Sequence, residues 1–211
     1  MDLLPLTLSV AVAARSTDDG TVGGQVVRPL GDTCRFCGIH AGGRQVPYRF
    51  ECEDAGLTRV AAACPLCALT QGLDRPTIGQ EAVLVWLPEM TQRALIVLVR
   101  TIHLTLYRQR MRPAMDRAPL AGGNARAAAA WSAYEALYER RIAAAELLGS
   151  NAPRDLAAAL LALSPAAYKE RFRALAGIRL LPRGRLFENG HDVYPDLLAA
   201  WGRDAAGKAA A

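Results

Sequence analysis

Apolar and polar residues alternate from the start of the chain. Leu4, Leu6, Leu8, Val10 and Val12 fall on one side of an extended segment, which predicts a strand over residues 4–13. A polar loop follows over 15–24, marked by Asp18-Asp19-Gly20 and Gly23-Gly24. A short strand is expected over 25–29, a turn at Gly42-Gly43, a second strand over 46–51 and a further extended run over 57–62. A helix opens near Cys64 and reaches about residue 71. Residues 81–87 read as another strand, with Val83 and Val85 facing one way, Leu84 and Trp86 the other, and Pro88 closing it.

The second half is patterned for helices. Thr91 is an N-cap for a helix to about residue 109, whose core face is Leu95, Leu98, Val99, Ile102 and Leu106. A loop over 113–124 precedes one long alanine-rich helix over 125–148. Trp131, Tyr134 and Tyr138 form a core-facing stripe on it, with Leu137 alongside. Residues 149–152 break it and 154–163 are helical again. Ser164-Pro165, a cap followed by proline at the first helical position, opens a helix to about 176. Asn189-Gly190, flanked by 183–188 and 191–194, signals a hairpin with a type I′ turn. Pro195 starts a last short helix through Trp201, and the tail 203–211 is expected to fray.

Two cysteine pairs carry the strongest chemical signal. Cys34-Arg35-Phe36-Cys37 is followed by 26 residues and then Cys64-Pro65-Leu66-Cys67. Two intervening residues let both thiolates of a pair point inward from one knuckle, and two knuckles supply a tetrahedral zinc shell. Gly38 follows the first pair, where the backbone must turn tightly near sulphur. Disulfides are the competing use of such cysteines. The doubled pairs and the missing βαβ pattern argue for metal over thioredoxin-like chemistry. A closed four-cysteine site leaves no position for water or substrate, so its role is structural. The expected fold class is therefore α+β, a zinc-stapled β-hairpin and helix packed with a mainly helical C-terminal part. Residues 1–90 form the β-rich part and 91–211 the helical part with its hairpin, in one integrated domain.

Composition adds little beyond this. The 211 residues are 52% hydrophobic with net charge +5, and all 25 basic residues but Lys169 and Lys208 are arginine. Arginine suits bidentate contacts to carboxylate or phosphate, although a GC-rich genome produces the same bias. The N-terminus lacks the basic region of a signal peptide. The longest apolar runs, 94–99 and 156–163, fall far short of the ~20 residues of a membrane span. A cytoplasmic, reducing environment is expected, with no direct membrane insertion.

A hairpin and helix stapled by four cysteines is similar to the zinc-stapled HNH endonucleases. Those enzymes place a histidine general base near the hairpin and His or Asn groups on the helix. This chain has Phe50-Glu51-Cys52-Glu53-Asp54 and Ala68-Leu69-Thr70-Gln71 in those places. His40 reads as an ordinary loop histidine, with a misplaced base or alternate ligand as the other options. Cys52 reads as a small buried hydrophobe, with a spare ligand as the alternative. Glu51, Glu53 and Asp54 read as a solvated turn that could otherwise bind a divalent ion. An HNH-like module without its catalytic set points to function through surfaces.

Several stretches together narrow the comparison. They are Leu3-Leu4-Pro5-Leu6-Thr7-Leu8-Ser9-Val10, Cys34-Arg35-Phe36-Cys37-Gly38, Ala63-Cys64-Pro65-Leu66-Cys67 and Val85-Trp86-Leu87-Pro88-Glu89-Met90-Thr91-Gln92. Near the end come Arg179-Leu180-Leu181-Pro182 and Asp192-Val193-Tyr194-Pro195. In these the chain resembles the IcmJ (DotN) family of type IVB, Dot/Icm-like, secretion systems, least across 121–163. The resemblance implies a non-enzymatic, cytoplasmic adaptor held at the inner membrane through the coupling complex. It implies one structural zinc on Cys34, Cys37, Cys64 and Cys67. It also implies binding to a segment of the coupling ATPase and to other coupling-complex subunits, with presentation of protein substrates for translocation. Arg171, Arg173, Arg183 and Arg185 are the candidate partner-binding residues. The competing readings are an HNH-type metal-dependent endonuclease and a zinc module that binds nucleic acid through arginine, the latter poorly supported without stacking aromatics near the knuckles.

Overall fold

The computed structural model describes residues 3–11, 31–40, 44–51, 58–111 and 124–209. The expected strand 25–29, the loop 15–24, the turn at Gly42-Gly43, most of the loop 113–124, Cys52, Glu53 and Asp54 lie outside them.

Residues 3–11 form no strand, contrary to the expectation for 4–13. Leu8 and Val10 are buried as the alternation predicts, but Ser9 between them is buried too. The segment is threaded through the molecule, and its backbone bonds to loops and side chains. Leu4 N–H donates to the Arg35 carbonyl at 2.8 Å, and the Ser9 carbonyl accepts from Leu73 N–H at 3.0 Å. Val10 N–H reaches the Tyr168 hydroxyl at 3.2 Å, and Ala11 N–H reaches Asp74 Oδ1 at 2.7 Å. Burial, not a neighbouring strand, accounts for its apolar spacing.

The elements follow in order. Strands β1 (Val46–Glu51) and β2 (Thr58–Ala63) pair antiparallel, Val46 opposite Ala63 and Glu51 opposite Thr58. Helix α1 (Pro65–Thr70), the single turn α2 (Ile78–Glu81), strand β3 (Ala82–Trp86) and helix α3 (Gln92–Arg108) come next. Helices α4 (Ala125–Glu139), α5 (Arg141–Leu148), α6 (Pro153–Leu161), α7 (Pro165–Lys169) and α8 (Arg171–Ala174) lead to strand β4 (Ile178–Pro182). The chain ends with β5 (Phe187–Glu188), β6 (His191–Asp192) and helix α9 (Tyr194–Ala209). Mixed helices and small antiparallel sheets make the class α+β.

The centre is the ribbon of β3 and β4, paired antiparallel with Leu84 opposite Leu180. The strand β4 is not anticipated by the sequence reading. Both faces of the ribbon are covered. Leu84 and Leu180 join the larger core cluster with Phe36, Leu66, Leu69, Ile96 and Trp201. Val83, Val85 and Leu181 join a second cluster with Leu95, Val99, Leu106, Trp131 and Tyr134. The ribbon therefore crosses the division expected at residue 90. Its outer edges are closed without further strands. Leu84 N–H donates to the Asn151 carbonyl at 2.9 Å and Trp86 N–H to the Arg140 carbonyl at 3.1 Å. On the β4 side the Gln92 side chain takes the edge position.

That second bond accompanies another departure. The helix expected over 125–148 is divided at Arg140, where one carbonyl is shared between Ala144 N–H at 3.3 Å and Trp86 N–H. The helix expected over 164–176 is likewise divided at Glu170, although Ser164 Oγ caps its start by accepting Ala167 N–H at 3.3 Å. The last helix runs past Trp201 to Ala209 in place of a frayed tail from 203, in keeping with its alanine content. Thr91 caps α3 as predicted, accepting Ala94 N–H at 3.2 Å. The Asn189-Gly190 hairpin forms with both central residues left-handed, φ 50 and 81, though its strands are two residues each.

Candidate metal centre

The first knuckle is a tight backbone loop. Cys34 N–H donates to the Ile39 carbonyl at 2.9 Å, and Gly38 N–H returns to the Cys34 carbonyl at 3.0 Å. Thr33 and His40 bridge antiparallel and close it. Gly38 has φ +74, and a Cβ there would meet only the two Leu3 methyls, at 3.5 and 3.7 Å. The left-handed backbone, not lack of room, calls for glycine. The second knuckle joins β2 to α1. Cys64 is the extended N-cap residue, its carbonyl accepting Ala68 N–H at 3.0 Å, and Pro65 takes the first helical position. Cys67 follows three residues on, on the same side of the turn.

The four sulphurs converge. All lie within 4.8 Å of one another, and all four cysteines are buried. Cys37 Sγ and Cys64 Sγ are 3.7 Å apart. A tetrahedral shell with Zn–S near ~2.3 Å has sulphur–sulphur edges of about 3.8 Å. A disulfide needs about 2.05 Å, and these cysteines are free. The electrostatics fit the same use. Hydrogen bonds from Cys37, Cys64 and Cys67 hold the Cys34 thiol well below its ordinary range. Hydrogen bonds to Cys34 and Cys37, with burial added, hold Cys64 and Cys67 above theirs. Four packed thiols cannot all ionise against one another, and a divalent cation would complete the set.

The site is fastened to α3 by two arginines. Arg93 Nε donates to the Phe36 carbonyl at 2.7 Å, and its Nη2 to the Leu4 carbonyl at 2.9 Å. Arg100, two turns on, donates to the His40 carbonyl at 3.3 Å, and its guanidinium lies 4.8 Å from the Trp201 ring centroid. These arginines hold the backbone around the first knuckle, as outer-shell groups do where a metal is bound. Neither stands out in the sequence. Their spacing of seven, which aligns side chains on one helix face, is the only signal. Tyr48, edge-on to Phe36 with ring centroids 6.1 Å apart, donates its hydroxyl to the Gln71 carbonyl and ties β1 to the end of α1.

The remaining candidates separate. Among the described residues His40 is not part of the cysteine cluster. Arg171 is turned inward. It donates to the Leu8 carbonyl at 3.1 Å and the Tyr168 carbonyl at 2.9 Å, and lies 4.1 Å from the Tyr168 ring centroid. Arg173 is exposed and paired with Glu170 at 2.9 Å. Arg183 reaches the Gly79 carbonyl at 3.3 Å. Arg185, half-buried, follows the turn at Gly184.

Glu81 and His103 are among the buried polar groups that were not anticipated. Glu81, wholly buried, takes both Arg75 Nε at 3.1 Å and Arg75 Nη2 at 3.0 Å, and accepts Phe187 N–H at 2.7 Å. His103, also wholly buried, sits with Nδ1 2.6 Å from the Tyr194 hydroxyl. Burial pushes its pKa down to about 3, so the ring is neutral. In sequence His103 hides inside the apolar stripe of α3. No helix among the described residues is long and apolar enough to cross a membrane. No family model matches the chain, and no curated protein matches it.

Proposed function

We propose that the protein is a zinc-stabilised, non-enzymatic adaptor of a type IVB secretion coupling complex, as its resemblance to the IcmJ (DotN) family implies. In this reading the ion is zinc, since four thiolates are a soft donor set and their edge length suits a tetrahedral ion. The two knuckles, the β1–β2 hairpin and α1 form a zinc-stapled module of the HNH kind. The observation that carries the reading is the closed, buried set of four sulphurs. Four thiolates fill a tetrahedral shell, so the ion has a structural role and function falls to the surfaces. The partner is a segment of the coupling ATPase, the location is the cytoplasmic side of the inner membrane, and the role is presentation of protein substrates. The test is a binding titration of the zinc-loaded protein with the cytosolic C-terminal region of that ATPase. Sub-micromolar binding is expected, and no binding by a folded, zinc-loaded protein overturns the reading. Plasmid DNA incubated with the protein and Mg²⁺ or Mn²⁺ should stay intact, and cleavage would return the nuclease reading.

A further inference from the structure

A cleft of about 690 Å³ opens between the end of α3, the turn at Gly184 and α9. Its floor is apolar, made by Tyr194, Pro195, Leu198 and Ala199, with Tyr194 and Leu198 buried. Arg108, Arg110 and Arg203 line it and are exposed. Arg110 is held with φ 58, a backbone region that non-glycine residues rarely occupy. Among the described residues none of these three guanidinium groups is ion-paired or hydrogen-bonded, unlike Arg171 or Arg173. The carboxylate in the lining is Asp192, whose Oδ1 already accepts Leu186 N–H and Tyr194 N–H, both at 3.1 Å.

We propose that this cleft docks an acidic segment of a partner protein, with an aliphatic side chain on the floor and carboxylates on Arg108, Arg110 and Arg203. The proposal rests on the adaptor reading and adds to it a surface and a chemistry. Three like charges around one cleft repel, and carboxylates brought by a partner relieve that repulsion. The planar guanidinium fork binds carboxylate bidentately and is favoured at interfaces. The floor supplies the apolar anchor point on which such a segment keeps its register. A nucleic acid would meet the same arginines. A continuous phosphate backbone would also meet Asp192, and of the two rings in the lining Tyr194 is buried, which leaves Tyr107 alone for a base to stack on.

The test starts from a displayed library of random short peptides selected on the full-length, zinc-loaded protein. Enriched peptides should be rich in Asp and Glu around a Leu, Ile or Val. One of them, synthesised and labelled, should bind more weakly as salt rises. The variant Arg108→Glu/Arg110→Glu should weaken it by about tenfold or more. Ala199→Trp, which fills the cleft at a half-buried helix position and changes no charge, should abolish it. Arg173→Glu should leave it unchanged. Melting temperatures of all variants should match the parent. Enrichment of non-acidic peptides, or equal binding to Ala199→Trp, overturns the proposal. So does an oligonucleotide that binds with the same variant pattern, or a self-association lost in Ala199→Trp, which makes a second copy the occupant. ATPase binding untouched by the cleft variants removes this proposal and leaves the adaptor reading. Acidic peptides held in the cleft without ATPase binding do the reverse.

Discussion

Gln92 and Leu180 make a reciprocal pair of hydrogen bonds. Gln92 Nε2 donates to the Leu180 carbonyl at 2.9 Å, and Leu180 N–H donates to Gln92 Oε1 at 2.8 Å. One side-chain amide at the start of α3 does what a third strand would do for the buried edge of β4. On the opposite edge Leu84, the partner of Leu180 in the register, finds Asn151. A two-stranded ribbon buried on both faces would otherwise carry unpaired backbone groups into the core.

The first prediction follows from that pair. Gln92→Leu strands a donor and an acceptor of Leu180, at about 1–3 kcal/mol each. Urea unfolding should show a loss of about 2–6 kcal/mol with an unchanged slope. Gln92→Glu keeps the acceptor and loses the donor, so it should fall short of the parent as well. A Gln92→Leu protein as stable as the parent would show that the edge is satisfied some other way.

Gly177 closes the same ribbon, its carbonyl accepting Leu87 N–H at 2.7 Å. It has φ +86, and a Cβ there would lie 2.2 Å from Trp86 Cζ3. Gly177→Ala should therefore cost about 2 kcal/mol or more, from backbone strain and displacement of the indole together. Adding Trp86→Leu should return the steric part but not the backbone part. The double mutant should accordingly lose less stability than the two single losses added together.

His103 gives a pH dependence with a defined sign. Its folded pKa is lowered to about 3 by burial, against an ordinary value of 6.5. Below about pH 6.5 the unfolded chain takes up a proton that the folded chain refuses, so stability falls with acid from 6.5 towards 3. At pH 5 the loss is about 2 kcal/mol. His103→Leu/Tyr194→Phe removes both polar partners together and should flatten this part of the profile. Chemical denaturation from pH 7 to 5, comparing the slopes of the two proteins, checks it. Equal slopes would assign the acid sensitivity to other groups.

The four-cysteine cluster, β1, β2, α1, β3, the start of α3 and the Asn189-Gly190 turn were all readable in the chain. Each rests on local chemistry: cysteine spacing, alternation, a threonine cap, a left-handed turn. The strand β4 escaped because Ile178–Pro182 is short, buried on both faces and interrupted by Arg179, so it shows no alternation. The breaks at Arg140 and Glu170 escaped because no glycine or proline stands at either of them. Arg140 is set by a long-range bond to Trp86 that no local pattern encodes. Residues 3–11 have strand periodicity but find no strand to pair with, which only tertiary packing decides. The Glu81–Arg75 and His103–Tyr194 pairs join positions whose roles appear only when the folded chain buries them.

The last prediction concerns the metal. Parent protein should carry one zinc per chain. Cys64→Ser should lose it, whereas His40→Ala should keep it, because His40 stands outside the cysteine cluster and the bond it accepts from Arg100 is to its backbone carbonyl. Metal binding at such sites is folding free energy, on the order of 10 kcal/mol in zinc-binding peptides. Chelation or Cys64→Ser should then lower the melting temperature by about 10 °C or more. The loss should be local before it is global. The four cysteines sit in the larger core cluster with Phe36, Leu66 and Leu69, while Trp131, Tyr134 and Leu137 of α4 belong to the second. Hydrogen exchange after chelation should speed first in β1, β2 and α1, and α4 should keep its protection longer. Uniform loss of protection in both would make the metal a support of the whole fold. An unchanged pattern with the metal removed would show that the cysteine cluster is not what holds the hairpin to the core.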